Sequence, residues 1–304
     1  MYNIDKLFES VAKKGHVCVG LDTAAEYIPP LERKRSASDA EAVFDFNKAI
    51  IDSTFDTAAV YKVQIAYYEE GGLSGLACYA KTLRYIREKG GLAIADIKRG
   101  DIADTASRYA KAHFEGEFEA DFVTLSPYMG MDSVEPWISY AEKKGKGAFV
   151  LMRTSNKGMR DFEYLELADQ KNTNIRRVYH AVGDKLAELA AAYSGKYSYG
   201  AFGAVIGCTE REEAAEIRKN YPGLFFLIPG YGAQGGAASD AALLLREGNG
   251  GVVNASRSIL KAWAAEVKNS GGDESAMTNT FAAEAAARAA VQMRDAIRTA
   301  AGII

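Results

Sequence analysis

The sequence predicts a (β/α)8 barrel, also called a TIM barrel, and three observations carry that prediction. Eight short apolar runs alternate with helix-like segments along the 304 residues, each run is hydrophobic almost throughout, and charged or amide side chains collect just after the runs. Continuous hydrophobicity is what a parallel strand covered on both faces requires, whereas an antiparallel sandwich would alternate apolar and polar positions. An open, doubly wound sheet is the alternative architecture. One domain over residues 1–304 is expected, because neither low-complexity stretches nor linker-like segments interrupt the repeat.

The chain opens with a helix that ends at Gly15, and residues 16–22 follow as a buried strand finishing on the carboxylate of Asp22. Further strands are expected over residues 58–64, 92–98, 121–126, 148–153, 201–207, 224–229 and 251–256. Helices should fill residues 39–54, 76–88, 105–114, 131–143, 177–193, 210–220 and 239–247, with a last one from 258 through 265 and onward. The polar stretch from Arg153 to about Arg177 is too long for a minimal loop and reads as an insertion over the barrel mouth. After the break at Ser270-Gly-Gly-Asp, an Ala-rich tail places Phe281, Ala285, Ala289, Met293 and Ile297 every fourth residue. That spacing predicts an amphipathic closing helix with a packing role.

Composition narrows the function. With 48% hydrophobic and 25% charged residues and a net charge of −3, the chain has no basic excess to attract nucleic acid or an anionic membrane, so neither partner is expected. The first residues are amphipathic and charged rather than a signal peptide, and no apolar run reaches about 18 residues, so a cytoplasmic location is expected. Cys18, Cys78 and Cys208 are odd in number and far apart, which fits reduced core thiols better than disulfides or zinc ligands. With His16, His113 and His180 as the whole histidine complement, no metal site is expected.

The stretch from Ala93 to Thr105 puts opposite charges at the mouth of an apolar run. Asp96 and Lys98 are two residues apart on a strand and so should face one pocket, Gly100 ends the strand, and Asp101 opens a helix with an acidic first turn. A structural reading is available too: an ion pair, with Asp101 as helix cap. In a barrel, function gathers at the C-terminal strand ends, and Asp22, Lys62, Asp96, Lys98, Ser155, Gln234 and Arg257 all lie at or just after such ends. The loop Pro229-Gly-Tyr-Gly-Ala-Gln234-Gly-Gly lets backbone N–H groups approach an anion, and Asn254-Ala-Ser-Arg257-Ser-Ile adds a guanidinium after the eighth run. Those are the two loops where barrels commonly hold phosphate.

The pattern Asp96-x-Lys98-x-x-Asp101-Ile102-x-x-Thr105 resembles the signature of the orotidine 5'-phosphate decarboxylase family, in its longer-chain branch. The two loops are similar to that family's Pro-Gly-x-Gly-Ala-Gln-Gly and Arg-Ser-Ile phosphate elements. Departures are local: Arg153-Thr154-Ser155 stands where many members carry Glu-Met-Ser, and Asn254-Ala-Ser-Arg257 replaces Gly-Arg. The resemblance implies cofactor-free decarboxylation of a small nucleotide, orotidine 5'-phosphate, to uridine 5'-phosphate in pyrimidine biosynthesis, by a homodimer with shared sites. It implies a catalytic network of Lys62, Asp96, Lys98 and Asp101, with Asp22, Ile102, Thr105, Ser155, Gln234 and Arg257 binding substrate. Asp101, Ile102 and Thr105 would reach into the partner subunit's site. Loss of CO2 leaves a ring carbanion with no adjacent electron sink, so Lys98 would stabilise and then protonate it, while Asp96 faces the departing carboxylate. Two other readings stay open: a magnesium-dependent sugar-phosphate enzyme sharing Asp-x-Lys-x-x-Asp, which the ammonium of Lys62 disfavours, and a noncatalytic binder of phosphate ligands.

Overall fold

Successive strand side chains point to opposite faces, so each apolar run must satisfy two environments at once. Val17 and Val19 join the layer packed under the helices, while Cys18 between them joins a second cluster with Val60, Ile94, Phe122, Phe149, Leu227 and Val252. That second cluster is the barrel interior. The computed structural model describes residues 1–168, 176–232 and 236–304. Its strands Val17–Gly20, Ala58–Gln64, Ala93–Arg99, Phe122–Leu125, Gly147–Arg153, Phe202–Ile206, Phe226–Ile228 and Gly251–Ala255, here numbered first to eighth, form one closed parallel barrel. Closure is visible in the first strand, which pairs Val17 with Val253 of the eighth and Cys18 with Val60 of the second. An open sheet would leave two edges, so the doubly wound alternative is excluded.

The helix Asn3–Lys14 closes the lower end, where the strands begin. Ile4, Leu7 and Val11 pack into the interior cluster, Ser10 donates to the carbonyl of Ala59, and the Asn3 amide donates to the Asp121 carboxylate. Burying three such aliphatic side chains contributes about 1.5–3 kcal/mol each. At the other end of the chain Asn279–Ala300, capped by the Thr278 hydroxyl, buries Ala282, Ala286, Ala290, Met293 and Ile297 and packs against the helix Asp39–Thr54. The closing helix is where its periodicity placed it, although Ala289 is only half-buried.

Several helix boundaries differ from expectation, each for a local reason. The helix expected from residue 76 begins at Gly72, because Gly75 lies against the preceding turn, where a Cβ would stand 2.0 Å from the Tyr68 carbonyl oxygen. The one expected over 131–143 splits into a short 3-10 turn, Met131–Ser133, and Glu135–Lys144, whose first turn holds Pro136. The one expected over 239–247 stops at Ala242, short of a turn in which Glu247, Gly248 and Gly250 all take positive φ. The segment after the eighth strand breaks at Lys261 into Arg257–Leu260 and Ala262–Ser270. In the insertion, Lys157–Asp161 forms a 3-10 turn, and Glu166–Leu167 pairs antiparallel with Arg176–Arg177. All three cysteines are free and buried. Among the described residues no helix is long and apolar enough to cross a membrane.

Candidate active site

The alternation that fills the barrel with apolar side chains below places polar ones directly above them. Val60 is followed two residues on by Lys62 and then Gln64, Ile94 by Asp96, Phe122 by Thr124, and Val252 by Asn254 and then Ser256. The apolar members lie in the interior cluster, and the polar ones line a cavity of about 390 Å3 at the C-terminal strand ends. Asp22, Lys98, Ser155 and Arg257 line it as well, so six residues expected from sequence meet in one place.

Asp96 is the hub. Its Oδ2 accepts from Lys62 Nζ at 2.8 Å and Gln64 Nε2 at 2.9 Å, and its Oδ1 accepts from Lys98 Nζ at 2.6 Å and Thr124 Oγ1 at 2.7 Å. Those four bonds fill the acceptor capacity of a carboxylate. Lys62 also donates to Asp22 Oδ1 at 2.9 Å, and Ser256 Oγ donates to Asp22 Oδ2 at 2.7 Å. That last bond needs Gly20, since a Cβ there would stand 2.1 Å from Ser256 Oγ.

Burial and charge oppose each other at the hub, and charge wins. Burial works against the Lys62 ammonium, but the carboxylates of Asp22 and Asp96 outweigh it and hold its pKa above the ordinary lysine value. Burial would likewise raise Asp96, yet Lys62 and Lys98 together hold its carboxyl well below the usual carboxylate range. The Lys62 and Asp96 side chains are each 6% exposed, whereas Lys98 keeps 48%, so one cation is locked into the wall and the other projects into the cavity.

Three of the four remaining expected residues lie elsewhere. Asp101, Ile102 and Thr105 do not line the cavity: Asp101 is half-buried and accepts from the N–H of Ile102, and Ile102 and Thr105 are exposed. Asp101 is not the helix cap either, for Ala103–Phe114 has Ile102 at that position and no side-chain cap. Gln234 lies outside the described residues, while Gly230 and Tyr231 just before it line the cavity. Arg257 is exposed at the rim and has no ion-pair partner among the described residues. Ser155 follows Thr154, whose backbone N–H and hydroxyl both bond Glu163 of the insertion, and Arg153 is fully buried and donates to the Gly207 carbonyl.

Sequence reasoning missed Gln64, Tyr67, Thr124, Asn156, Tyr231, Asn254 and Ser256, all of which line the cavity. For Gln64, Thr124 and Asn254 a signal existed: each follows an inward apolar residue by two or four positions.

The orotidine 5'-phosphate decarboxylase / HUMPS family model matches residues 15–269. The chain is 55% identical over 295 residues to the orotidine 5'-phosphate decarboxylase of Clostridium acetobutylicum, covering 97% of this chain and 98% of that one. Among solved structures it is similar to Leishmania donovani OMP decarboxylase at 31% identity and a TM-score of 0.72, covering 97% of this chain and all (100%) of the other. It is similar as well to the UMP synthase of the same organism, at 32% identity and a TM-score of 0.73, covering 97% of this chain and 57% of that one.

Proposed function

The chain belongs to the orotidine 5'-phosphate decarboxylase / HUMPS family and converts orotidine 5'-phosphate to uridine 5'-phosphate, a step of pyrimidine biosynthesis; from that premise we propose how its cavity does so. The observation that carries the reading is the hub, in which one carboxylate fixes two ammonium groups and leaves only that of Lys98 projecting into the cavity.

As the carbon–carbon bond to CO2 breaks, its electron pair stays on the pyrimidine carbon in an orbital with no neighbouring carbonyl to delocalise it. A preorganised cation stabilises such charge without solvent reorganisation, and Lys98 supplies it. Lys98 then gives one Nζ proton to that carbon, which completes the exchange of carboxylate for hydrogen. Asp96 faces the substrate carboxylate and holds Lys98 in line, while Lys62 is the fixed counter-charge that keeps Asp96 ionised. Asp22 contacts the ribose, Ser155 the base, and Arg257 with Gln234 the phosphate. The reaction runs without a cofactor, because the two lysines provide the positive charge that a metal ion would bring.

Asp101, Ile102 and Thr105 serve a partner's site in a homodimer. Supporting this, Ile102 next to Asp101 is 44% exposed, and Tyr128 and Met129 on the loop after the fourth strand are 81% and 50% exposed, apolar surface that a second copy would cover. The same reading makes residues 1–304 one domain of a cytoplasmic enzyme. Mixing the protein with orotidine 5'-phosphate in EDTA should abolish the orotate absorbance with release of CO2. Activity that disappears in EDTA and returns with magnesium would reject the cofactor-free route.

A further inference from the structure

Lys98 sits in a backbone conformation that its residue type disfavours. Its φ is +45°, in the left-handed region where a side chain with a Cβ is strained, and it is not a glycine in a turn but the sixth residue of the third strand. The ladder to the fourth strand is interrupted at the same place. Ala95 pairs with Val123 and Arg99 with Leu125, so three residues of the third strand bulge opposite the single residue Thr124. A bulge leaves backbone N–H groups without ladder partners, and here those are the N–H groups of Ile97 and Lys98.

Both are taken by one side chain. Thr124 Oγ1 accepts from Ile97 N and Lys98 N at 3.0 Å each, and donates its own hydrogen to Asp96 Oδ1 at 2.7 Å. One donor and two acceptor sites are all a hydroxyl has, and Thr124 is 1% exposed, so water does not compete for them. A strand without the bulge would send Lys98 upward along its own face, one full repeat beyond Asp96. The left-handed turn instead folds Lys98 back until its ammonium meets Asp96 Oδ1 at 2.6 Å.

We propose that Thr124 is a positioning residue for decarboxylation, its hydroxyl bracing the left-handed turn at Lys98 and the Asp96 carboxylate as one unit. This rests on the reading of Lys98 as the group that stabilises and protonates the carbanion. All three bonds of the Thr124 hydroxyl go to protein groups, so it acts through Lys98, fixing the angle at which the ammonium enters the cavity. Substrate binding is anchored elsewhere, at Arg257, so loss of the hydroxyl acts on kcat and leaves KM nearly as it was.

The test compares Thr124→Val, which keeps the branched shape and loses the hydroxyl, with Thr124→Ser, which keeps the hydroxyl, and with Lys98→Ala. Thr124→Val should lower kcat about ten- to a hundredfold with KM for orotidine 5'-phosphate within about threefold, and Thr124→Ser should restore kcat to within about threefold of the parent. Should Thr124→Val not fold, Thr124→Ala carries the same prediction. A Thr124→Val enzyme with a lowered melting temperature and undiminished kcat would overturn the proposal by making Thr124 a packing residue. So would a Thr124→Ser enzyme as slow as Thr124→Val. If Lys98→Ala is itself active to within about tenfold, the reading of Lys98 fails, and that outcome is separate from a failure at Thr124 alone.

Discussion

Two buried cations, Lys62 at the upper end of the barrel and Arg218 at the lower, are handled in opposite ways. At the upper end Lys62 is held by two carboxylates, and its positive charge is balanced and held above its ordinary pKa. At the lower end Arg218, 6% exposed, has no carboxylate partner among the described residues. Its guanidinium donates to the carbonyls of Leu244, Tyr221, Leu224 and Gly250 and stacks 3.6 Å from the Phe226 ring centroid, while burial pushes its pKa down. Carbonyl dipoles satisfy donors without offering a counter-charge, so Arg218 ties together loop backbones and nothing more. The upper arrangement differs because its carboxylate serves two cations and one of them faces open space. Burial alone makes a staple; burial of a shared counter-ion beside a cavity makes a reactive cation.

If that contrast holds, changes at the upper end act on rate and changes at the lower end act on stability. Lys98→Ala should show the largest effect, a fall in kcat of order 10^4 with an unchanged circular dichroism spectrum. A purified variant within about tenfold of the parent would erase the distinction between the two ends. Arg257→Ala, at the rim, should reduce kcat/KM by roughly a hundredfold, part of it in kcat, because phosphate binding energy is used at the reacting carbon. Unchanged kinetics would take Arg257 out of the site.

The proposed sharing of sites extends the contrast, since it would make the upper end the place where two copies meet. Lys98→Ala and Asp101→Ala protomers, each nearly inactive alone, should on random reassociation in equal amounts recover about a quarter of the parental site activity. Heterodimers confirmed by mass but no more active than either parent would mean that Asp101 serves its own subunit.

The lower end should answer in stability. Arg218→Met strands four carbonyl acceptors and should cost roughly 3 kcal/mol in denaturant unfolding with kcat unaltered; a comparable loss of kcat would show the ends to be coupled. The last effect concerns pH and is spread over about two units of it. His113 is buried, and burial together with the Arg99 guanidinium pushes its pKa down to about 4 from 6.5. The unfolded chain therefore takes up this proton first, so the stability it contributes is whole above pH 6.5 and is lost as pH falls toward 4, at up to about 1.4 kcal/mol per pH unit. His16 and His180 are lowered by burial as well and act in the same direction. In urea titrations His113→Gln should flatten that slope, and an unaltered slope would assign it to other groups.

Local periodicity and charge were legible in the sequence alone. Apolar runs marked the eight strands, spacing by two put Asp96 and Lys98 on one side, and ionisable residues at strand ends identified the members of the cavity, because an ionised group at the end of a buried run is costly unless it is used. For neutral polar residues spacing gave the face but not the partner. Thr124 meets Asp96 across 28 positions of chain, and Ser256 meets Asp22 across 234. Whether a threonine or serine touches a carboxylate depends on the register of strands far apart in sequence, and register is settled only when the barrel closes. The helix starts at Gly72 and Glu135 followed the same logic, being set by close backbone approach at Gly75 and by Pro136 in the first turn. The left-handed turn at Lys98 was beyond local reading for the same reason: its cost is offset by a hydroxyl on the neighbouring strand, and only tertiary structure brings the two together.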